Sequence, residues 1–444
     1  MFSRTTRSLL VLLFAATLIA PPYTTRADEV DDILAEQIEE LVAGLDADTI
    51  SERDIAEENL LRLVDVEGVG PEKFLQVLPK PNDSMPASVS ERLAIIRKQV
   101  ETRIASDSVK PTLVTMDAVA WSLEDTLKEL EKQTGNKIIC DREENLDTGP
   151  LSPGEIVLQV KDEPFWSVMD QVMDQAKLSM YPFAGENAVS LVERGEGEGS
   201  RFGRANYTGP FRFEATEISA IRGLRQVDNQ ALNIDLEISW EPRLRPIAIT
   251  QSLDQVDVVT AGGNRLDAKQ SGRVYNIEVQ EGSCASTITM PFALPSRDVD
   301  EIMLLGGSIR ALMPGKREKF RFDELSSKEP IVQTVGGVKV TLERVFQNGP
   351  VWEVHMSFVL EDAHDALASH RGWVFNNLTY LVGADGEPID HAGFEVNKQT
   401  RTEIGIAYLF DLPDGVEGLS WVYESPVSIV EQEYKFQLEG VKLP

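Results

Sequence analysis

Three of the four histidines in this 444-residue chain fall around one loop: His355, then Glu361-Asp362-Ala363-His364-Asp365, then His370. Imidazole and carboxylate are sensible ligands for zinc and similar metals, which singles out Asp362, His364 and His370. The spacing argues the other way, because a helical metal pair needs histidines four apart and these two are six apart. His355 should also point off a strand, away from the loop. A solvated turn between strands is the commoner explanation, so neither a metal nor another cofactor is expected. The run Ser369-His370-Arg371-Gly372-Trp373 offers a different chemistry. A Trp beside Arg371 in a loop is a platform for stacking a sugar or gripping a partner, while a Trp covering the end of a core is the bland alternative.

Signs of catalysis are weak. The chain contains no Gly-x-Ser-x-Gly elbow and no serine with an obvious base, the arrangement nucleophilic hydrolysis needs. With 73 acids, carboxylate pairs are possible anywhere and signalled nowhere. The acidic loop from Asp141 to Asp147 lacks the ligand order and central glycine of an EF-hand. Cys140 and Cys284 are the only cysteines and belong to different expected domains, so a disulfide would require those domains to meet. Met169, Met173 and Met180 read as core filler rather than soft-metal ligands. A non-enzymatic role follows.

Composition sets the frame for these residues. Lys and Arg number 43 against 73 Asp and Glu, a net charge of −30, which argues against a nucleic-acid binder. A hydrophobic content of 42% excludes wholesale disorder. Residues 1–27 have the form of a secretory signal: Arg4 and Arg7, then the apolar run Leu9 to Ala20, with cleavage expected after Ala27. That run is too short to span a bilayer, so an exported protein, periplasmic or secreted and not integral to the membrane, is expected. Residues 201–325 stand apart, with 16 basic residues against 17 acids. This segment, with Arg222 and Arg225 as its contacts, is expected to dock against an acidic neighbour, either its own N-terminal half or an anionic partner.

The elements that must carry these residues change character along the chain. From residue 28 to 106 apolar residues recur at helical spacing: Ile38, Leu41, Val42 and Leu45, then Leu60, Leu61 and Leu63. Thr49 or Ser51 can cap the second helix. The run Asp48, Arg53, Ala56, Leu60, Leu63, Gly70, Pro71 resembles a HEAT repeat, which implies stacked antiparallel helix pairs serving as a docking surface or as a cap on the next domain. Residues 107–194 contain an internal repeat. Val114, Met116, Leu123, Leu127, Leu130 and Ile138 are matched 42 positions later by Ile156, Leu158, Phe165, Met169, Val172 and Met180. Val114-Thr115-Met116-Asp117, Ser122 to Leu127, Gln133-Thr134-Gly135 and the echo Val160 to Phe165 make this stretch similar to the short N-terminal domain of secretins and TonB-dependent receptors. The resemblance implies a small α+β protein-recognition module. Neither a secretin channel nor a receptor barrel follows it, so the family's role in outer-membrane traffic does not carry over.

Gly195 to Ser200 then reads as a flexible acidic linker over residues 195–205, after which the period shifts from 3.6 to 2. Leu232, Ile234, Leu236, Ile238 and Trp240 alternate with polar residues as a strand face does. Leu236, Ile238 and Trp240 recur as Met356, Phe358 and Leu360, and Phe292 with Leu294-Pro295 recurs as Phe410 with Leu412-Pro413. Two β-sandwiches are expected, 206–326 and 327–444. The fold class is therefore multi-domain: N-terminal α-helical hairpins, a small α+β domain and two antiparallel sandwiches. The composite implies an exported protein-interaction or scaffold protein with a protein partner in the periplasm or envelope. Glycan binding by the sandwiches, anchored on Trp373, is the alternative, and a metal- or carboxylate-dependent hydrolase a distant third.

Overall fold

The computed structural model describes residues 26–82, 84–140, 155–181, 185, 187–226, 230–280, 282–360 and 372–444. The expected leader lies, up to residue 25, outside the described residues. Four helices come first: α1 (Arg26–Gly44), α2 (Ile50–Leu63), α3 (Gly70–Val77) and α4 (Ala87–Ser108). Thr49 starts α2, its hydroxyl accepting the Glu52 amide at 3.2 Å and donating to Glu52 Oε2 at 2.8 Å; this satisfies one of the first turn's orphan amides. Leu34, Ile38, Leu60, Phe74, Leu93 and Ile96 are buried. Arg92 of α4 grips α2 through Asp54 at 2.9 Å and Glu57 at 2.6 Å. The chain divides into two compact units at Val100 and Glu101, within α4.

The second unit begins with the α+β module. Its first half is β1 (Leu113–Met116), β2 (Ala120–Trp121), α5 (Leu123–Thr134) and β3 (Ile138–Ile139). Its second half is β4 (Ile156–Val157), β5 (Val160–Pro164), α6 (Phe165–Ala176), β6 (Leu178–Tyr181) and β7 (Val189–Glu193). Strand β1 pairs with β5, β2 with β4, and β7 with both β3 and β6. Ser122 caps α5, and Gly135 ends it at φ 68°, a left-handed conformation that glycine adopts without a Cβ penalty. All twelve residues of the 42-residue repeat, with Met173, are buried in one core.

The segment expected to be a flexible linker is pinned instead. Asp174 on α6 accepts the Arg201 and Phe202 amides, each at 3.0 Å, together with the Ser200 hydroxyl. Ser179 also donates to Glu198 at 2.5 Å. A glycine-rich composition permits flexibility, but a carboxylate taking two backbone amides removes it.

Two antiparallel sandwiches follow, each of two sheets. In the first, β8 (Asn206–Thr208), β9 (Phe211–Arg222), β10 (Gln230–Trp240) and β14 (Ala285–Phe292) lie in the order β14-β10-β9-β8. They face β11 (Ala248–Ser252), β12 (Asp257–Thr260), β13 (Val274–Ile277) and β15 (Glu301–Met313). In the second, β17 (Ile331–Val335), β18 (Val338–Asn348), β19 (Val351–Leu360), β23 (Glu403–Phe410) and β22 (Gly393–Gln399) form a sheet in that order. It faces β16 (Lys316–Phe322), β24 (Ser420–Val427), β20 (Thr379–Val382) and β21 (Pro388–Asp390). Alternation fills both interiors: Phe211, Phe213, Ile234, Leu236 and Ile238 face one core, and Val354, Met356, Phe358 and Leu360 the other.

The division expected near Ser326 does not follow the strands. The last strand, β25 (Val430–Lys442), leaves the second sandwich and pairs along the whole of β15 in the first. Strand β16, which precedes Ser326, pairs with β24 in the second. The two ladders keep one register across the junction, from Glu301 opposite Lys442 to Met313 opposite Val430, and from Lys316 opposite Val427 to Phe322 opposite Trp421. A single two-stranded ribbon thus runs through both sandwiches, bending at Pro314-Gly315 and Ser428-Ile429. Each repeat lends its last strand to the other: β25-β15-β11-β13 in the first sandwich is answered by β16-β24-β20-β21 in the second. The physical reason is burial, since Tyr434, Phe436 and Leu438 complete the first core while Phe320 and Phe322 complete the second. Gly307 makes room for this exchange; a Cβ there would sit 2.7 Å from the Phe436 ring.

Candidate functional site

The four-stranded sheet of the first sandwich has a polar outer face, and the α+β module sits on it. Along β9, Phe211 and Phe213 point into the core, so Arg212 and Glu214 must face out. Arg212, whose side chain is 1% exposed, meets Asp170 of α6 at 2.9 Å, Glu214 at 2.6 Å and Glu237 at 3.4 Å. Tyr207 donates to Asp170 at 2.7 Å, and the Trp166 indole donates to the Pro210 carbonyl at 3.2 Å. Burial pushes the Asp170 and Glu237 carboxyls upward against the opposing pull of Arg212. Burial pulls Arg212 down, but its carboxylates outweigh this and raise it. A second polar cluster lies beside the first. Glu241 accepts the Thr112 amide at 2.8 Å, and Arg243 reaches Glu241 at 2.7 Å and the Ser108 carbonyl at 2.5 Å.

The second sandwich repeats this sheet. The bulge that shifts register between Asp235 and Leu236 against β9 recurs between His355 and Met356 against β18, 120 positions on. The pair Glu214–Glu237 corresponds to Thr341–Ser357, and Arg212–Ser239 to Lys339–Val359. On this outer face lies a trough of about 380 Å³, lined by Glu343, Arg344, His355, Ser357, Asn397, Lys398, Glu403 and Gly405. Two bulges shape it: Glu343 is the extra residue on β18 and Asn397 the extra residue on β22, the device by which a strand re-aims one side chain. Gly405 forms part of the lining because a Cβ there would lie 2.3 Å from Asn397 Oδ1.

Glu353, His355 and Ser357 share this face at strand spacing. His355 Nε2 lies 2.7 Å from Glu353 Oε2, and Asn397 Nδ2 lies 3.4 Å from His355 Nδ1. An amide donor at Nδ1 assigns the proton to Nε2. Ser357 donates to Glu343 Oε1 at 2.8 Å. Both imidazole nitrogens are therefore engaged elsewhere, and Ser357 has a carboxylate as its acceptor, so the three do not form the relay a serine nucleophile needs. Hydrogen bonds from Asn348 and then His355 hold the Glu353 carboxyl below its usual range. Lys398 pairs with Glu403 at 2.7 Å. What the trough offers is a fixed set of donors and acceptors with both signs of charge.

Among the described residues singled out by sequence, Trp373, Arg222 and Arg225 lie apart from the trough. Asp362, His364, His370 and Arg371 lie outside the described residues, as does the Asp141–Asp147 loop. Among the described residues no group of three His, Cys, Asp or Glu side chains is placed to hold a metal ion. Trp373 lies on the short helix α7 (Gly372–Phe375), half-buried and packed edge-on to Phe358 with 5.5 Å between ring centroids. It covers the second core. Arg222 and Arg225 are exposed at the far tip of β9 and beyond it. The cation that docks on the α+β module is Arg212, whose position between two core phenylalanines was the available signal. Cys140 and Cys284 pack at the same core, yet both remain thiols, and burial pushes Cys284 up to about 12.

No protein-family model, curated protein or solved structure matches the chain. No described helix is long and apolar enough to cross a membrane.

Proposed function

We propose that this is an exported, non-enzymatic interaction protein, a scaffold of the periplasm or envelope that binds protein partners. The observation supporting this reading is the joint between module and first sandwich. The chain already uses a β-sandwich face to hold an α+β body, through a buried Arg212–Asp170 pair and a core that Cys284 and Ala285 of the sandwich enter. The likeness of residues 107–194 to the short N-terminal domain of secretins and TonB-dependent receptors supports a recognition role for that body. The HEAT-like helices add a second candidate docking surface. Proximity labelling from the full-length protein in its native compartment tests the reading. Reproducible protein neighbours are expected; their absence across replicates sinks it.

Glycan binding is the second reading, and the trough favours it over Trp373 as the anchor. Glu343 and Glu403 balance Arg344 and Lys398, and planar polar groups of both kinds suit neutral polyhydroxylated ligands. A glycan array probed with the intact protein should show retained sugars if this reading holds, and none if it does not.

A further inference from the structure

We infer that the outer face of the second sandwich's five-stranded sheet, from Lys339 and Thr341 to the trough, is a docking surface for a carboxylate-bearing helix of a protein partner. The inference rests on the interaction reading and names its surface and chemistry. Internal duplication carries it. The two sandwiches share strand order across β9-β10-β14 and β18-β19-β23, and they share the bulge 120 residues apart. In the first copy this face is occupied, with α6 lying against it and placing Asp170 on Arg212. In the second copy the equivalent strands carry cations at Lys339 and Arg344; neither forms a close ion pair with a described carboxylate, though Arg344 acts on Glu353 through space. The Arg344 guanidinium instead lies over the Phe346 ring at 5.0 Å. Arg344, Glu343, Asn397 and Lys398 are exposed around the trough. A guanidinium over an aromatic ring can still present N–H donors to a carboxylate. Lys339 stands where Arg212 stands in the first copy, outside the charge-balanced trough, and is the cation that an acidic occupant would meet.

The test uses the intact protein and a fluorescent stapled helical peptide with the sequence of residues 165–176, which carries Asp170 and Asp174. Its control replaces both aspartates with asparagine. Fluorescence anisotropy should show saturable binding of the acidic peptide. The double variant Lys339→Glu/Arg344→Glu, with unfolding midpoint unchanged, should weaken it about tenfold or more. The Asn peptide should bind comparably weakly. The absence of saturable binding, or an affinity indifferent to both charge changes, overturns the inference. So does displacement of the peptide by a neutral oligosaccharide such as maltohexaose, which would assign the trough to sugars. If the peptide result is negative while proximity labelling still returns protein neighbours, this surface is wrong and the interaction reading stands.

Discussion

Two side chains hold the module in place by opposite electrostatic means. Burial alone would push the Asp174 carboxyl up, but hydrogen bonds from Ser200, the Arg201 and Phe202 amides and Arg194 outweigh it and hold it at about 2. Because the folded value lies below the ordinary one, this stabilisation is complete above about pH 4 and is lost as pH falls towards 2. Asp174→Asn should therefore lower stability by about 1–2 kcal/mol at neutral pH. Urea midpoints measured from pH 7 to pH 2.5 should show the gap to wild type closing in acid; a constant gap would contradict the assignment. Arg212 is the more consequential residue. Arg212→Met leaves Asp170, Glu214 and Glu237 facing one another without their cation, and a loss of about 3–5 kcal/mol is expected in chemical denaturation. Neutralising Asp170 in the same chain should recover part of that loss, and failure to do so would mean the three acids do not share one site.

At the level of elements, patterning that depends on burial was legible and patterning that depends on pairing was not. The twelve apolar residues repeated between Val114 and Met180 all enter one core, because hydrophobic spacing and burial are the same physical fact. The offsets of 120 and 118 likewise mark β10 with β19 and β14 with β23. The bulges at Glu343 and Asn397 left no trace in composition, since an inserted residue shows only when the partner strand is known. The trough they shape was therefore invisible, and attention fell on Trp373 and the loop beside it. The exchanged strands were hidden for a similar reason: β16 and β25 have the same alternation whichever sandwich they join. Their crossing point is testable. A Cβ on Gly315 would lie 2.4 Å from Ala105 Cβ and 2.5 Å from the Ser428 carbonyl. Gly315→Ala should cost about 1–3 kcal/mol through overpacking, read as a lowered thermal midpoint; an unchanged midpoint would mean the junction yields freely.

Across the whole molecule, the exchange makes each sandwich depend on sequence that belongs to the other. The first core lacks Tyr434, Phe436 and Leu438 until the second repeat has been synthesised, and this non-local closure must be slow relative to the helical segment. It also ties the two sandwiches together twice, because separating them would break the ribbon from Glu301–Lys442 to Phe322–Trp421. Truncation separates this arrangement from two independent domains in a row. Removing residues 429–444 deletes sequence adjacent to the second sandwich, yet it strips β15 of its partner strand and opens the first core. Hydrogen exchange should show protection falling in β15, β10 and β9 while β18, β19 and β23 retain theirs. Loss confined to the second sandwich would mean that β25 contributes little to the first core and that each repeat closes by itself.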